Sequence, residues 1–267
     1  MGVLNLTPDS FSDGGKFIEP SAAVSRVREM IADGAGIIDI GAESTRPGSQ
    51  PVSEDEQIHR LLPVLHQLQD CPVTFSIDTT RVAVAKVALD HGVKIINDIS
   101  AGRDDSSILE LAAQRGCPII LMHMQGTPAT MQVNPIYSDV VSEVHSFLRE
   151  RIAIAVKAGI PEHRILIDPG LGFGKTFAHN LELLRKLDRF VDLGRPIVVG
   201  ASRKGFVGKL TNEPEALKRS FGNAATTAWA ATNGAAVIRV HEVKPMRQVL
   251  DVMTALNNSG ESDLVAQ

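Results

Sequence analysis

Cysteine is scarce in this chain, with two among 267 residues, Cys71 and Cys117. Each stands just before an apolar strand-like run, in CPV and CPI, which excludes a disulfide framework and reads as a pair of small buried hydrophobes. Long apolar runs are missing as well. No stretch approaches the roughly 20 residues of a membrane-spanning helix, and the N-terminus shows neither the basic nor the apolar region of a secretory signal. The cytoplasm is the expected location. An excess of positive charge is also absent, since 27 Lys and Arg face 31 Asp and Glu for a net charge of -4. That balance argues against a general affinity for nucleic acid or an anionic membrane. The eight histidines show no H-x-x-x-H or similar spacing, so no zinc site is indicated.

A nucleotide-binding loop is excluded by a closer count. The stretch IDPGLGFGKT (167–176) follows an apolar run and ends in Gly-Lys-Thr, yet the phosphate-cradling pattern needs a Gly where Pro169 stands. Its glycines alternate as G-x-G-x-G and so miss the dinucleotide fingerprint too.

What is present is regular alternation. Short aliphatic runs bounded by Gly, Pro and polar residues occur at 2–6, 36–41, 73–78, 93–98, 118–124, 164–170, 196–202 and 235–241. Between them lie segments with helical periodicity at 21–33, 54–69, 82–91, 106–115, 139–158, 180–190 and 215–232, and a further one at 244–256 follows the last run. Gly34, Gly92, Gly116, Gly159 and Gly234 stand where helices should end. The runs are almost continuously apolar, as strands covered on both faces are. Eight strand-helix units in this length predict an α/β fold, a single (β/α)8 TIM barrel over 1–256 with a flexible tail at 257–267. A doubly wound open sheet is the alternative on pattern alone.

In such a barrel the reactive groups gather at the C-terminal strand ends. Those positions carry Asn5, the Glu43-Ser44-Thr45-Arg46 run, Asp78, Asn97-Asp98, His123, Asp168, Ser202-Arg203-Lys204, Arg239 and His241. They separate by chemistry. Asp78, Asn97 and Asp168 suit a flat polar heterocycle, while Arg46, Lys204, Arg239 and His241 suit an anion. Two Gly- and Pro-rich loops, 7–17 and 43–55, have the composition of lids that would deliver Phe11 and Arg46 on closure.

Taken in order, GVLNLTPDSFSDGG, GAESTRPG, SIDTT, INDIS, LMHMQGTP, IDPGLGFGKT, GASRKGF and RVHEV resemble the dihydropteroate synthase family, with motifs spread from Gly2 to Val243. The resemblance, to a family targeted by sulfonamides, implies condensation of 6-hydroxymethyl-7,8-dihydropterin pyrophosphate with 4-aminobenzoate, giving 7,8-dihydropteroate and pyrophosphate. It implies that Asp78, Asn97 and Asp168 hold the pterin and that Lys204 lies between the ring and the aminobenzoate pocket. Arg239 would stack near the pterin and, with His241 and Asn5, bind the pyrophosphate, Asn5 acting through Mg2+. Thr45, Arg46, Phe11 and Ser202 would line the closing loops and the aminobenzoate site, with Met122 and Phe173 as apolar walls. Asp78, Asp168, Lys204, Arg239 and His241 are the expected catalytic set, and a homodimer through barrel helices is the expected assembly.

Three departures from the family pattern stand out. Met1 falls at the first strand, Glu242 replaces the usual Asp after the final His, where only a helix cap should change, and Arg81-Val82 replaces Lys-Pro. Two alternatives remain: a methyltetrahydrofolate-binding methyltransferase-type barrel, which would have no use for Lys204, Arg239 and His241, and a non-catalytic pterin-binding paralogue.

Overall fold

The computed structural model describes residues 1–7, 19–45 and 48–257. Eight strands run in chain order as β1 (Gly2–Asn5), β2 (Ile37–Gly41), β3 (Thr74–Asp78), β4 (Ile95–Asp98), β5 (Ile119–Met122), β6 (Ile165–Asp168), β7 (Ile197–Val199) and β8 (Ala235–Ile238). Each pairs in parallel with the next. Closure comes from the backbone just beyond β8, where Val3 N donates to Val240 O and Val240 N to Met1 O, each at 2.9 Å. The sheet is therefore a barrel, and the open-sheet alternative is excluded. Closure leaves no strand edge unpaired.

The helices are α1 (Pro20–Ala32), α2 (Glu54–Leu68), α3 (Val82–Asp90), α4 (Ser107–Arg115), α5 (Val140–Lys157), α6 (Phe177–Arg185), α7 (Gly205–Thr211), α8 (Ser220–Thr232) and α9 (Val243–Asn257). Their starts are legible locally. Ser53 caps α2 by accepting from Glu56 N, Asp139 caps α5 through Val141 N and Ser142 N, and Thr176 forms a capping box with His179. The glycine stops hold as well, with Gly116 at φ 57° after α4.

The structure departs from the sequence expectation at three places. The segment expected as one helix at 180–190 is α6 followed by a 3-10 stretch, Leu187–Leu193. The segment 215–232 is likewise split into a 3-10 turn, Ala216–Lys218, and α8, and the short helix α7 precedes both. The last helix runs through Asn257, one residue into the expected tail. Residues 258–267 lie outside the described residues.

Apolar residues fill both sides of the barrel wall. The large outer cluster joins strands to helices, for example through Ile38, Ile40, Leu61, Leu65, Ile119, Ile167 and Phe190. Inside, Ile37, Ile95, Leu166 and Val237 from the even strands pack with Ile120 and Val198 from odd ones. Side chains alternate along a strand with period two. The next inward positions on the even strands are therefore Asp39, Asn97 and Asp168, with Arg239 directly after β8. On the odd strands they are Asn5, Asp78, Met122 and, directly after β7, Gly200. Two positions thus turn an apolar plug into a polar floor, and that floor is the base of the barrel mouth. Of the cysteines, Cys117 is buried and Cys71 partly so; both are free thiols. Among the described residues no helix is long and apolar enough to cross a membrane.

Candidate active site

A narrow slot opens above the polar floor, lined by Asp78, Asn97, Met122, Asp168, Phe173, Lys204 and Arg239, with Ile99, Leu171, Gly170 and Gly200 completing the wall. It leads into a wide mouth of about 1660 Å³ whose lining includes Asn5, Thr45, Ser202 and His241 and shares Asp78, Lys204 and Arg239 with the slot. The two sets separated by chemistry thus meet in one continuous cavity. Phe11 and Arg46 lie outside the described residues.

Arg239 organises the floor. Its Nε donates to Asp39 Oδ2 at 2.7 Å and its Nη2 to Asp78 Oδ2 at 2.8 Å. Asp39 Oδ2 also accepts from Asn97 Nδ2 at 3.0 Å. Asp39 is fully buried and is the main functional residue that the sequence reading missed. The signal was available, because Asp39 occupies the same inward register as Asn97 and Asp168. Lying in mid-strand within IIDIG, it did not look like a strand end.

The electrostatics follow from this crowding. Burial pushes the Asp78 carboxyl up to about 7, Arg239 pulls it down, and Asp39 and Asp98 push it further up. Burial raises Asp168 too, against a hydrogen bond from Gly170 N and the charges of Lys204 and Arg239. Lys204 is lowered to about 8, first by burial and then by Arg239. Its Nζ stands 4.0 Å from the centre of the Phe173 ring, a cation–π contact. Arg239 itself is raised by the two carboxylates it bridges, against its burial.

Supporting residues fix the rim. Ser202 Oγ lies 3.1 Å from His241 Nδ1 and accepts from His241 N at 3.3 Å, so the serine orients the imidazole. Arg219 donates to the carbonyls of Arg203 and Lys204, and Asn223 Oδ1 accepts from Arg203 N. Together they hold the turn that aims Lys204. Glu43 accepts from Val52 N and Gln57 Nε2 and so shapes the loop after β2.

Two strand-end residues do not join the slot. Asp98 points to the opposite face from Asn97, and its carboxylate takes the amides of Ser100 and Gly102 to build the turn after β4. His123 is buried beside Phe147, ring centres 4.8 Å apart and perpendicular. Glu242 accepts both of its hydrogen bonds from Ser220 Oγ, so it ties the end of the barrel to the start of α8. It does not merely cap its own helix.

The described residues hold no group of three or more His, Cys, Asp or Glu side chains able to cage a metal. Asn5 offers one amide oxygen to the mouth, close to Asp78 across Gly41, where a Cβ would come within 3.8 Å of Asn5 Oδ1. An amide oxygen is a hard donor of the kind Mg2+ accepts, and Mg2+ usually keeps several waters and takes substrate phosphates as its charged ligands.

The chain is similar over most of its length to proteins of one family. Residues 1–241 match the family model described as pterin binding enzyme. A dihydropteroate synthase of Synechocystis is 44% identical over 257 residues, 96% of this chain and 89% of the relative. The solved dihydropteroate synthase of Xanthomonas albilineans with 4-aminobenzoic acid superposes with a TM-score of 0.91 at 42% identity, covering 97% of this chain and 92% of that one. A structure of the Xanthomonas albilineans enzyme in complex with 7,8-dihydropteroate gives 0.87 at 39% identity, covering 97% and 93%.

The floor yields a stability prediction. Asp39→Asn leaves Arg239 short of one buried charge partner, and such a loss costs about 3–5 kcal/mol. Urea unfolding should show it as a lower midpoint with an unchanged slope. A midpoint equal to that of the parent chain would show that Asp78 alone satisfies the arginine.

Proposed function

The chain belongs to the family of pterin-binding enzymes, and on that premise we propose that its slot and mouth carry out the dihydropteroate synthase reaction. The substrates are 6-hydroxymethyl-7,8-dihydropterin pyrophosphate and 4-aminobenzoate. The observation that carries the reading is one cavity that joins a floor of Asp78, Asn97 and Asp168, braced by Arg239, to a wall and rim bearing Lys204 and His241. A pterin offers several N–H donors and a carbonyl along one edge, which Asp78, Asn97 and Asp168 match. A pyrophosphate needs positive charge and hydrogen-bond donors, which Lys204 on the slot wall and the His241 imidazole on the rim would supply, with Arg239 adding its charge from the floor.

The chemistry follows from where charge develops. Breaking the C–O bond sends its electron pair to the pyrophosphate and leaves the pterin methylene electron-poor. The aminobenzoate nitrogen then donates its lone pair to that carbon and loses a proton to water. An aryl amine is a weak nucleophile, so bond breaking runs ahead of bond making. The carboxylates of the floor stabilise the cationic pterin and the rim stabilises the departing anion. Asn5 would hold Mg2+, which when bound supplies further positive charge to the pyrophosphate. Phe11, Thr45, Arg46 and Ser202 belong to the loops that would enclose the aminobenzoate and exclude water from the electrophile. A methyltransferase-type barrel would leave the cationic rim without a purpose. The two free thiols support a reducing compartment, the cytoplasm.

The assembly we propose is a homodimer through α7, α8 and α9. Leu210 on α7, Phe221 on α8 and Val252 on α9 are 53%, 91% and 58% exposed. Large apolar side chains left exposed on neighbouring helices suit an association surface.

Three outcomes test these readings. Purified protein given both substrates and Mg2+ should form dihydropteroate, with sulfonamides competing against 4-aminobenzoate; pterin binding without product would favour the non-catalytic paralogue. Pterin affinity should fall as pH drops through about 7. A raised pKa means that Asp78 takes up its proton there and ceases to accept the ring's N–H groups. Titration with 6-hydroxymethylpterin should therefore show an acid limb, which Asp78→Asn removes while weakening binding about tenfold or more; a limb that survives the substitution assigns it to another group. Sedimentation velocity should find a dimer that Phe221→Asp dissociates, and a monomeric parent chain would refute the proposed face.

A further inference from the structure

Lys175 has no part in the chemistry above, yet it is only 2% exposed. Its Nζ lies 2.9 Å from His123 Nδ1, 2.9 Å from Phe173 O and 3.3 Å from His123 O. All three partners are protein atoms, two carbonyl oxygens that accept from Nζ and one imidazole nitrogen. Burial pulls the lysine pKa well down, while the charge of Asp168 opposes that pull. Every direction in which Nζ could act toward a ligand is taken up by protein atoms. A role as catalytic base does not fit this geometry.

The acceptors come from two loops. His123 directly follows β5, and Phe173 lies in the glycine-rich loop after β6. The loops meet backbone to backbone, with His123 N donating to Asp168 O at 3.0 Å. A Cβ on Gly170 would come within 1.9 Å of His123 O, and one on Gly174 within 2.5 Å of Gln125 O. Outer ties hold the same loop, from Gln132 Nε2 to Gly172 O and from Tyr137 Oη to Gly174 O, both 2.7 Å. Lys175 Nζ reaches both sides of this seam, with His123 on one and Phe173 on the other. Phe173, whose carbonyl it holds, forms the slot wall and packs its ring against Lys204 and the Ile99, Met122, Met124 and Met131 cluster.

We propose that Lys175 is a positioning residue. By fastening the Phe173 carbonyl to the end of β5, it fixes the Phe173 ring over Lys204 and so sets the affinity of the slot for its flat ligand. The identity of that ligand as a pterin rests on the proposed function; the fastening itself does not.

The test uses Lys175→Met, which keeps length and removes all three donors. Hydrogen exchange of the ligand-free protein should quicken at 170–174 and 123–126 and remain unchanged elsewhere, a readout that needs no substrate. With pterin pyrophosphate, KM should rise about tenfold while kcat and the KM for 4-aminobenzoate move less than about threefold. Combining Lys175→Met with Phe173→Ala should add less than about twofold to the loss from Phe173→Ala alone, because both act through one ring. Multiplying losses, or an unchanged pterin KM in Lys175→Met, would overturn the proposal. If Lys175→Met does not fold, the acceptor side decides. His123→Asn keeps an oxygen near the Nδ1 position and should lose less pterin affinity than His123→Leu, and equal losses would overturn it. A parent chain that binds no pterin would refute the proposed function and leave the exchange result to judge Lys175.

Discussion

Arg239 bridging Asp39 and Asp78 is the interaction on which the rest of the site depends. The interior of a closed eight-stranded barrel is filled with side chains and has no room for bulk water, so a charged layer there must satisfy itself. One guanidinium reaches two carboxylates because its donors form a rigid fork, although Asp39 Oδ1 keeps no hydrogen-bond partner of its own among the described residues. Asn97 joins through Asp39, and the layer becomes a connected network that spans β2, β3, β4 and the end of β8. Such a layer is fixed before any ligand arrives. Its dipoles and charges need little reorganisation when charge develops above it, which is the condition for electrostatic catalysis.

The same network explains why the site sits two residues above the plug. Ile37, Ile95, Leu166 and Val237 close the barrel below, and period-two alternation makes Asp39, Asn97, Asp168 and Arg239 their upward successors. Moving any one strand by a single residue would turn its floor residue outward into the apolar layer between sheet and helices. Register, set by the apolar plug, is therefore also what sets the chemistry. Gly41 belongs to the same logic. It stands between Asn5 and Asp78 in register, so a Cβ there would sit in ordinary contact with both.

Much of this was legible in the sequence, and the exceptions have physical reasons. Eight continuous apolar runs separated by capped helices state the barrel, and polar residues at strand ends state most of the mouth. Asp39 was hidden because a charged residue in mid-strand resembles a burial error until its partner is known, and Arg239 lies 200 residues away in the chain. His123 and Asp98 were drawn into the ring of strand ends because sequence position does not say which way a side chain points. Both face away from the slot and build the turns instead. The short helix α7 was missed because Gly205 and Gly208 weaken any helical signal, and its end at Asn212 is set by a left-handed residue that is not glycine.

The glycine-rich loop after β6 gains a different meaning from this arrangement. Its three alternating glycines look like a phosphate cradle, but two of them are required by backbone from the neighbouring loop, at His123 and Gln125. A phosphate loop needs its amides turned toward an open anion site. Here the amide of Gly170 turns to Asp168 and that of Gly172 to Asn180, so the donors are already engaged. The lysine that would reach a phosphate in such a loop is instead buried and turned toward carbonyl oxygens and an imidazole. The sequence pattern of a ligand grip has become a structural seam, and the grip has passed to the residues that the seam holds in place.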